Sequence, residues 1–339
     1  MKHISIIIYE DVLPTAVANT TALLTSANEA AAGKGRPLPF DIELVSAGDK
    51  QVQSGMLVQL CCSKTISDHF DTDVVIIPPM NTTSVTVDAL LSRNNQLISW
   101  IQEQYASHAQ VISLCTGAYI LAACGLLDGM PATSHWGALE DLQKRYPLIN
   151  FQADKVITHS KGILTGGGGF SSLNTLLYFI EGHCGKEIAV ELSKFYALDY
   201  SRTSQQIFSV FSGQRSHDDE EIHEAQSYIE AHFKVDLSVE EVARHVNMSK
   251  RNFIRRFKNA TSSNPITFIQ RIKVEAAKRA LEEGETNIAA VTYDVGYNDL
   301  RTFRTVFKRI TGLTPVEYRN SYNIKRDKYT DFRQDQPFV

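Results

Sequence analysis

The chain reads as an α/β domain built on a parallel sheet, followed by an all-α domain, and three observations predict this. Over residues 1–200, short Val/Ile-rich runs alternate with helical patterns. Beyond about residue 216 that alternation stops and nearly every segment has helical periodicity. Within this second part, a set of residues recurs at a shift of 50 positions. The 339 residues exceed one ordinary domain. Hydrophobic residues at 43% and charged residues at 21% are globular values, which excludes a disordered, collagen-like or disulfide-stapled chain.

In chain order, Ile4–Tyr9 is a buried strand and Ala16–Ala32 a helix. Phe40–Ser46, Asp73–Ile77 and Val111–Leu114 are further strands, the last running into a helix over Gly117–Cys124. Near-continuous Val/Ile runs separated by helices imply parallel strands covered on both faces. Val156–Thr158 and Gly162–Thr165 are two short paired strands, and Gly166–Gly169 opens a helix over Ser171–Glu181. The glycine run is either an anion cradle at a helix N-terminus or a tight turn where backbones pack closely. The expected divisions are 1–205 for the sheet domain, 206–220 for a linker that couples the two halves, 221–321 for the helical domain and 322–339 for a loosely packed polar tail.

No apolar run reaches the roughly 20 residues that cross a bilayer. Met1-Lys2-His3 leads into a strand without a signal-type cleavage site, so a cytoplasmic protein is expected. The cysteines at 61, 62, 115, 124 and 184 include no CxxC pair and suit reduced thiols. The histidines show no HxxH or HExxH spacing, so neither metal nor cofactor is expected. Net charge is −4, but unevenly spread: residues 1–215 hold 14 Lys and Arg against 19 Asp and Glu, while Ser249–Arg279 holds nine basic residues and one acidic. An acidic first body joined to one with concentrated positive stripes fits a nucleic-acid reader with a separate regulatory module.

The internal repeat strengthens that reading. Phe253, Phe257, Thr261 and Pro265 recur as Phe303, Phe307, Thr311 and Pro315, which indicates two copies of one helical unit. In the first copy, Ser238 with Glu241 forms a capping box, Val242, Ala243 and Val246 make an apolar face, Asn247-Met248 turns the chain and Ser249 caps a second helix. With Phe253 and Phe257 inward at i, i+4, Arg251, Ile254, Arg255 and Lys258 face outward. The second copy has Val291 and Val295, a turn at Gly296, Phe303 and Phe307 inside, and Arg301, Thr302, Arg304, Thr305 and Lys308 outside. This is helix-turn-helix chemistry, with arginines suited to guanine edges and the other cations to phosphates. The amphipathic stretch Pro265–Leu281 can set both units into successive major grooves, roughly 34 Å apart.

Residues 220–320 resemble the AraC/XylS family of bacterial transcription regulators. The resemblance rests on Asp294-Val295-Gly296-Tyr297, Phe303 to Phe307-Lys308, Thr311-Gly312-Leu313-Thr314-Pro315 and Tyr318-Arg319. Family members usually have Gly where Ser262 stands and often Arg where Thr305 stands. The apolar Ile254 suits contact with thymine methyls.

In the sheet half, Leu114-Cys115-Thr116-Gly117-Ala118 marks a strand-to-helix turn at the carboxyl edge of the sheet. Such a turn is expected to expose the Cys115 side chain and to favour its thiolate through the helix N-terminus. His135, in Thr133-Ser134-His135-Trp136, is placed to pair with the thiol as a general base, with Glu10 as a third, acidic member.

These motifs, with Gly125-Leu126-Leu127-Asp128-Gly129, resemble the PfpI-like branch of the class I glutamine-amidotransferase fold, which implies a flavodoxin-like parallel sheet. The order of the halves resembles GlxA-like regulators. That resemblance implies a regulator rather than an enzyme, with double-stranded DNA as partner, a small-molecule effector held near Cys115, Thr116, His135 and Glu10, RNA polymerase as a further contact and a homodimer. The alternative is a bifunctional protein in which Cys115 and His135 catalyse amide, isonitrile or 2-oxoaldehyde chemistry. Enzymes of the fold place a Gly-Gly turn after the third strand to supply an oxyanion N–H. This chain has Pro78-Pro79-Met80-Asn81, where neither proline can donate. Asn174 stands where relatives often carry Asp.

Overall fold

The computed structural model describes residues 1–54, 58–82, 86–215, 217–285 and 287–325. The chain divides into two compact units, Met1–Gln205 and Gln206–Val339. Of the expected polar tail, residues 326–339 lie outside the described residues.

The first unit is built on a seven-stranded sheet. Its spatial order is Ile157–Ser160, Ile163–Gly166, Gln110–Leu114, Val74–Ile77, Lys2–Ile8, Phe40–Ser46 and Lys64–Thr65. Every neighbouring pair is parallel except the hairpin of Ile157–Ser160 with Ile163–Gly166. The central strands are apolar on both sides: Ile4, Ile6, Ile7 and Ile8, and Val74 to Ile77, are essentially without solvent contact. Residues buried on both faces need helices above and below, which is why these runs are continuous rather than alternating. Helix Pro14–Gly33, with proline in its first turn, and helix Ser172–Cys184 supply part of that cover.

Strand order reverses on either side of Lys2–Ile8, since Phe40–Ser46 lies on one flank and Val74–Ile77 on the other. In an open parallel sheet, the crevice at the carboxyl ends near such a reversal is where ligands are held. The chain leaves four adjacent strands there at Tyr9, Pro78, Cys115 and Gly167.

Sequence periodicity does not announce the antiparallel ribbon of Gln51–Ser54 with Val58–Cys61, two short strands of mixed polarity that are mostly exposed. Cys61 ends that ribbon in solvent, while Cys62 is buried.

The second unit is helical among its described residues. Helices Val239–His245 and Lys250–Thr261 form the first pair, and Ile288–Asp294 and Leu300–Thr311 the second. The duplication is geometric as well as sequential. Phe253 and Phe257 lie 5.4 Å apart at 61°, and Phe303 and Phe307 lie 5.5 Å apart at 55°. Phe257 meets Phe268 edge-on at 5.2 Å, as Phe307 meets Tyr318 at 5.6 Å, again at the 50-residue shift.

Thr261 and Thr311 each donate to the carbonyl four residues back, at 2.8 and 2.9 Å. Each second helix then ends on a left-handed residue, Ser262 at φ 54° and Gly312 at φ 81°. Glycine adopts that conformation without a Cβ penalty, whereas Ser262 bears one.

Helix Pro265–Glu282 belongs to both cores. Its Phe268 and Ile269 pack with Phe253 and Phe257, and its Val274, Ala277 and Leu281 pack with Phe303 and Phe307. Residues 206–220, expected as a linker, are held on this unit over much of their length. Ser209 carbonyl accepts from Lys278 Nζ at 2.8 Å, and Phe211 lies edge-on to Phe268 at 5.2 Å. Gln226 Nε2 donates to the carbonyls of Gly213 and Gln214. A segment with so many backbone and aromatic anchors is part of the domain that holds it.

Candidate functional site

In the sheet unit, Cys115 follows strand Gln110–Leu114 directly and has φ 53°, a left-handed backbone that costs cysteine about 1–3 kcal/mol and persists only where the surroundings hold it. They do. Ser134 Oγ donates to the Cys115 carbonyl at 2.8 Å, and Thr116 Oγ1 donates to the Met80 carbonyl at 2.8 Å. Gly117 seats the next turn against the neighbouring strand: a methyl there would lie 2.5 Å from the Ile77 carbonyl oxygen and 2.7 Å from that of Pro78. Both proline carbonyls are in use, Pro78 accepting from Tyr9 Oη at 2.5 Å and Pro79 from the Leu13 N–H at 2.8 Å.

Three expectations about this turn are corrected. First, Cys115 is not displayed in solvent: it is 7% exposed, and burial raises its pKa above the ordinary thiol value. The N–H groups of Gly169 and Thr116 point at the sulfur and oppose that rise, but desolvation dominates, so the helix terminus does not make a thiolate here.

Second, His135 is not the thiol's base. Its Nδ1 accepts the Gly137 N–H at 3.0 Å, and burial lowers its pKa below that of free imidazole. A neutral ring accepting at Nδ1 carries its proton on Nε2 and cannot take another from sulfur there. Among the described residues no hydrogen bond joins the two side chains. The ring lies beside Trp136 at 5.0 Å and so close to Gly168 that a methyl on that glycine would overlap it.

Third, Glu10 is not an acidic member of the site. It is exposed and pairs with Arg93 at 3.3 Å, because Ile8 is the last strand residue and the chain has already turned. Tyr9, one residue earlier, is buried instead, its hydroxyl donating to the Pro78 carbonyl, and desolvation raises its pKa well above the ordinary phenol value, an ionised Cys115 adding to the rise.

The glycine run is a close-packing device. Gly166 has no room for a methyl beside Thr175, Gly167 meets Gln205, and Gly168 meets His135. Asn174 serves the fold, donating to the Asp199 carbonyl at 2.6 Å.

Burial sets a reactivity order. Below its raised pKa Cys115 is a neutral thiol, and thiolate appears only as pH rises through that value. Iodoacetamide near neutral pH is therefore expected to modify exposed Cys61 well before Cys115, with Cys115 labelling climbing only in alkaline solution. Peptide mass mapping checks this, and fast neutral-pH labelling of Cys115 contradicts it.

In the helical unit, Ser249 caps the first Phe-bearing helix and Asp299 the second, the latter accepting the N–H groups of Arg301 and Thr302. Ser238 and Glu241 close the expected capping box. Arg251, Arg255 and Lys258 are exposed on one copy, and Arg301, Thr302, Arg304, Thr305 and Lys308 on the other. Thr305 Oγ1 bonds its own helix at the Arg301 carbonyl, 2.9 Å away, and Arg255 bonds Asn252 at 2.9 Å. Ile254 departs from the outward expectation: it is half-buried and packs against the first core. Arg256 is claimed by Asp219 and Glu221, each at 2.7 Å. Sequence reading missed that pairing because its partners lie 35 and 37 residues away.

Residues 22–177 match the DJ-1/PfpI family, and residues 242–321 match a helix-turn-helix domain. The chain therefore carries one stretch similar to DJ-1/PfpI proteins and a second similar to helix-turn-helix domains. It is 25% identical to the transcriptional regulator GlxA of Rhizobium meliloti over 61% of this chain and 64% of that protein. It is 22% identical to the transcriptional regulator GbdR of Pseudomonas aeruginosa over 66% of this chain, and spans 60% of GbdR's length. A solved structure from Vibrio parahaemolyticus, described as a transcriptional regulator protein, shares the fold of the first unit: TM-score 0.50 at 16% identity, covering 57% of this chain and 98% of that one. Among the described residues no helix is long and apolar enough to cross a membrane.

Proposed function

We propose that this chain is a transcription regulator that reads double-stranded DNA through two successive major grooves and responds to a small molecule held at the carboxyl edge of its first-unit sheet. The observation that carries the reading is the duplicated helix pair: each copy leaves a cationic face exposed while its phenylalanines point inward, and one helix supports both copies. Arg251, Arg255 and Arg301 are the residues assigned to base edges. Lys258, Arg304 and Lys308 are assigned to phosphates, and Thr302 and Thr305 to closer groove contacts. Ile254 offers a thymine methyl only its exposed edge.

The effector site is assigned to Cys115, Thr116 and His135, with Tyr9 replacing Glu10. Every one of these groups is held neutral or is inherently uncharged, which suits recognition by hydrogen bonding. Cysteine catalysis is disfavoured by the same features, since the thiol is protonated and the imidazole faces away from proton uptake. A homodimer, a contact with RNA polymerase and a cytoplasmic setting complete the proposal.

Gel-shift titration tests it. Against a duplex selected from a randomised pool by the full chain, Arg301→Ala is expected to lose about 1–3 kcal/mol and to relax preference at one base pair. Equal weakening on every sequence, with a shallower salt dependence, reassigns Arg301 to a phosphate. Failure of the full chain to enrich any duplex refutes the reading.

A further inference from the structure

Resting on that reading, we propose that Lys273 is the positioning residue that locks the two helix-turn-helix units at one mutual angle, and so sets the spacing of half-sites the protein accepts. It stands on the bridging helix Pro265–Glu282 at the point where that helix passes from one core to the other, after Ile269 and before Val274. Its side chain is 6% exposed.

The ammonium group donates to two backbone carbonyls, Gly296 at 2.7 Å and Val235 at 3.3 Å, and lies 5.1 Å from the Tyr297 ring centre. Those carbonyls belong to different copies. Val235 sits just before the first helix pair, and Gly296 is the turn inside the second. The two backbones are in direct contact at this place, because Gly296, at φ 77°, leaves only 2.5 Å between a notional methyl and the Lys234 carbonyl oxygen. A single cation with three donors, holding carbonyls from both copies under an aromatic ring, is a latch across a backbone seam. Arg309 of the second copy adds a bond to Gln270 of the same helix at 2.5 Å.

The seam also explains a buried lysine that no pattern of the helix face requires. An ammonium group taken from water is costly unless its protons are used, and here two of them are. Methionine fills the same volume and would serve a purely apolar role as well or better. Retaining lysine is accounted for by geometry: hydrogen bonds fix direction, whereas apolar contact permits sliding.

The test uses the full chain carrying Cys61→Ser, with nitroxides on cysteines placed at Lys258 and Lys308, the exposed ends of the two Phe-bearing helices. Pulsed electron–electron resonance is expected to give one narrow distance for the parent and a broadened distribution for Lys273→Met and Lys273→Gln, with Lys273→Arg restoring a narrow one. Gel shifts supply the second readout. On a selected two-site duplex, Lys273→Met is expected to bind at least tenfold more weakly, but within about twofold of the parent on a duplex with one site scrambled, and a one-base-pair insertion between sites is expected to penalise it less. A parent distribution as broad as that of the variants, or variants as narrow as the parent, overturns the proposal whether or not DNA is bound. Equal losses on one-site and two-site duplexes also overturn it, because they mark a generally damaged fold. If the parent enriches no duplex, the DNA reading falls while the distance measurement still decides the latch.

Discussion

Replacing Phe307 by alanine is expected to destabilise the helical unit by about 3–5 kcal/mol, the usual loss for a buried phenyl. The ring is entirely without solvent contact, meets Phe303 at 5.5 Å and Tyr318 at 5.6 Å, and sits in the second core with Val274, Leu281 and Val291. No neighbouring side chain can follow the deletion easily, since Phe303 is fixed by Tyr297 at 5.5 Å and Tyr318 bonds Glu282 through its hydroxyl at 2.5 Å. Urea unfolding followed by circular dichroism measures the change. Because the bridging helix contributes to both cores, Phe257→Ala in the other copy is expected to lower the midpoint of the same transition. Two separate transitions for the two copies would contradict a shared core.

The second large effect is expected at Gly117. Alanine there sets a methyl 2.5 and 2.7 Å from two carbonyl oxygens that belong to a central strand end and cannot rotate away. Overpacking of this kind costs about 1–3 kcal/mol, and immovable backbone places Gly117→Ala at the upper end. The gain in helix propensity, about 0.5–1 kcal/mol, offsets only part of it. The readable consequence is local as well as global. The turn that holds Cys115 must lift from Pro78, so the thiol becomes more accessible, and its alkylation rate near neutral pH is expected to rise as thermal stability falls. A variant with unchanged melting temperature and unchanged Cys115 protection would show that the strand ends yield more than their hydrogen bonds suggest.

The contrast between what sequence disclosed and what it withheld has a physical basis. Strands such as Lys2–Ile8 and Val74–Ile77 were legible because burial on both faces forces unbroken apolar runs. The helix pairs were legible because a 50-residue repeat and side-chain caps are local signals. The Cys115 turn was placed correctly in the chain but misjudged in state. Exposure and proton affinity depend on Gly169, Ser134, Tyr9 and Met80, which are brought together only by strand order. Tyr9, not Glu10, lies buried beside this turn, because the strand ends at Ile8 and the chain turns outward at Glu10, an end point that no local pattern marks. Lys273 and Arg256 had no local signal at all, because lysines and arginines on helices usually face water.

The shared helix also limits how the two copies can be separated. The two copies share one aromatic pattern, yet neither core is complete without the bridging helix: ending the chain after Asn264 strips Phe268 from the first, and starting it at Glu282 strips Val274 and Leu281 from the second. With one helix common to both cores, a swapped half must bring a matching face for that helix, whereas altering exposed residues in place leaves both cores intact.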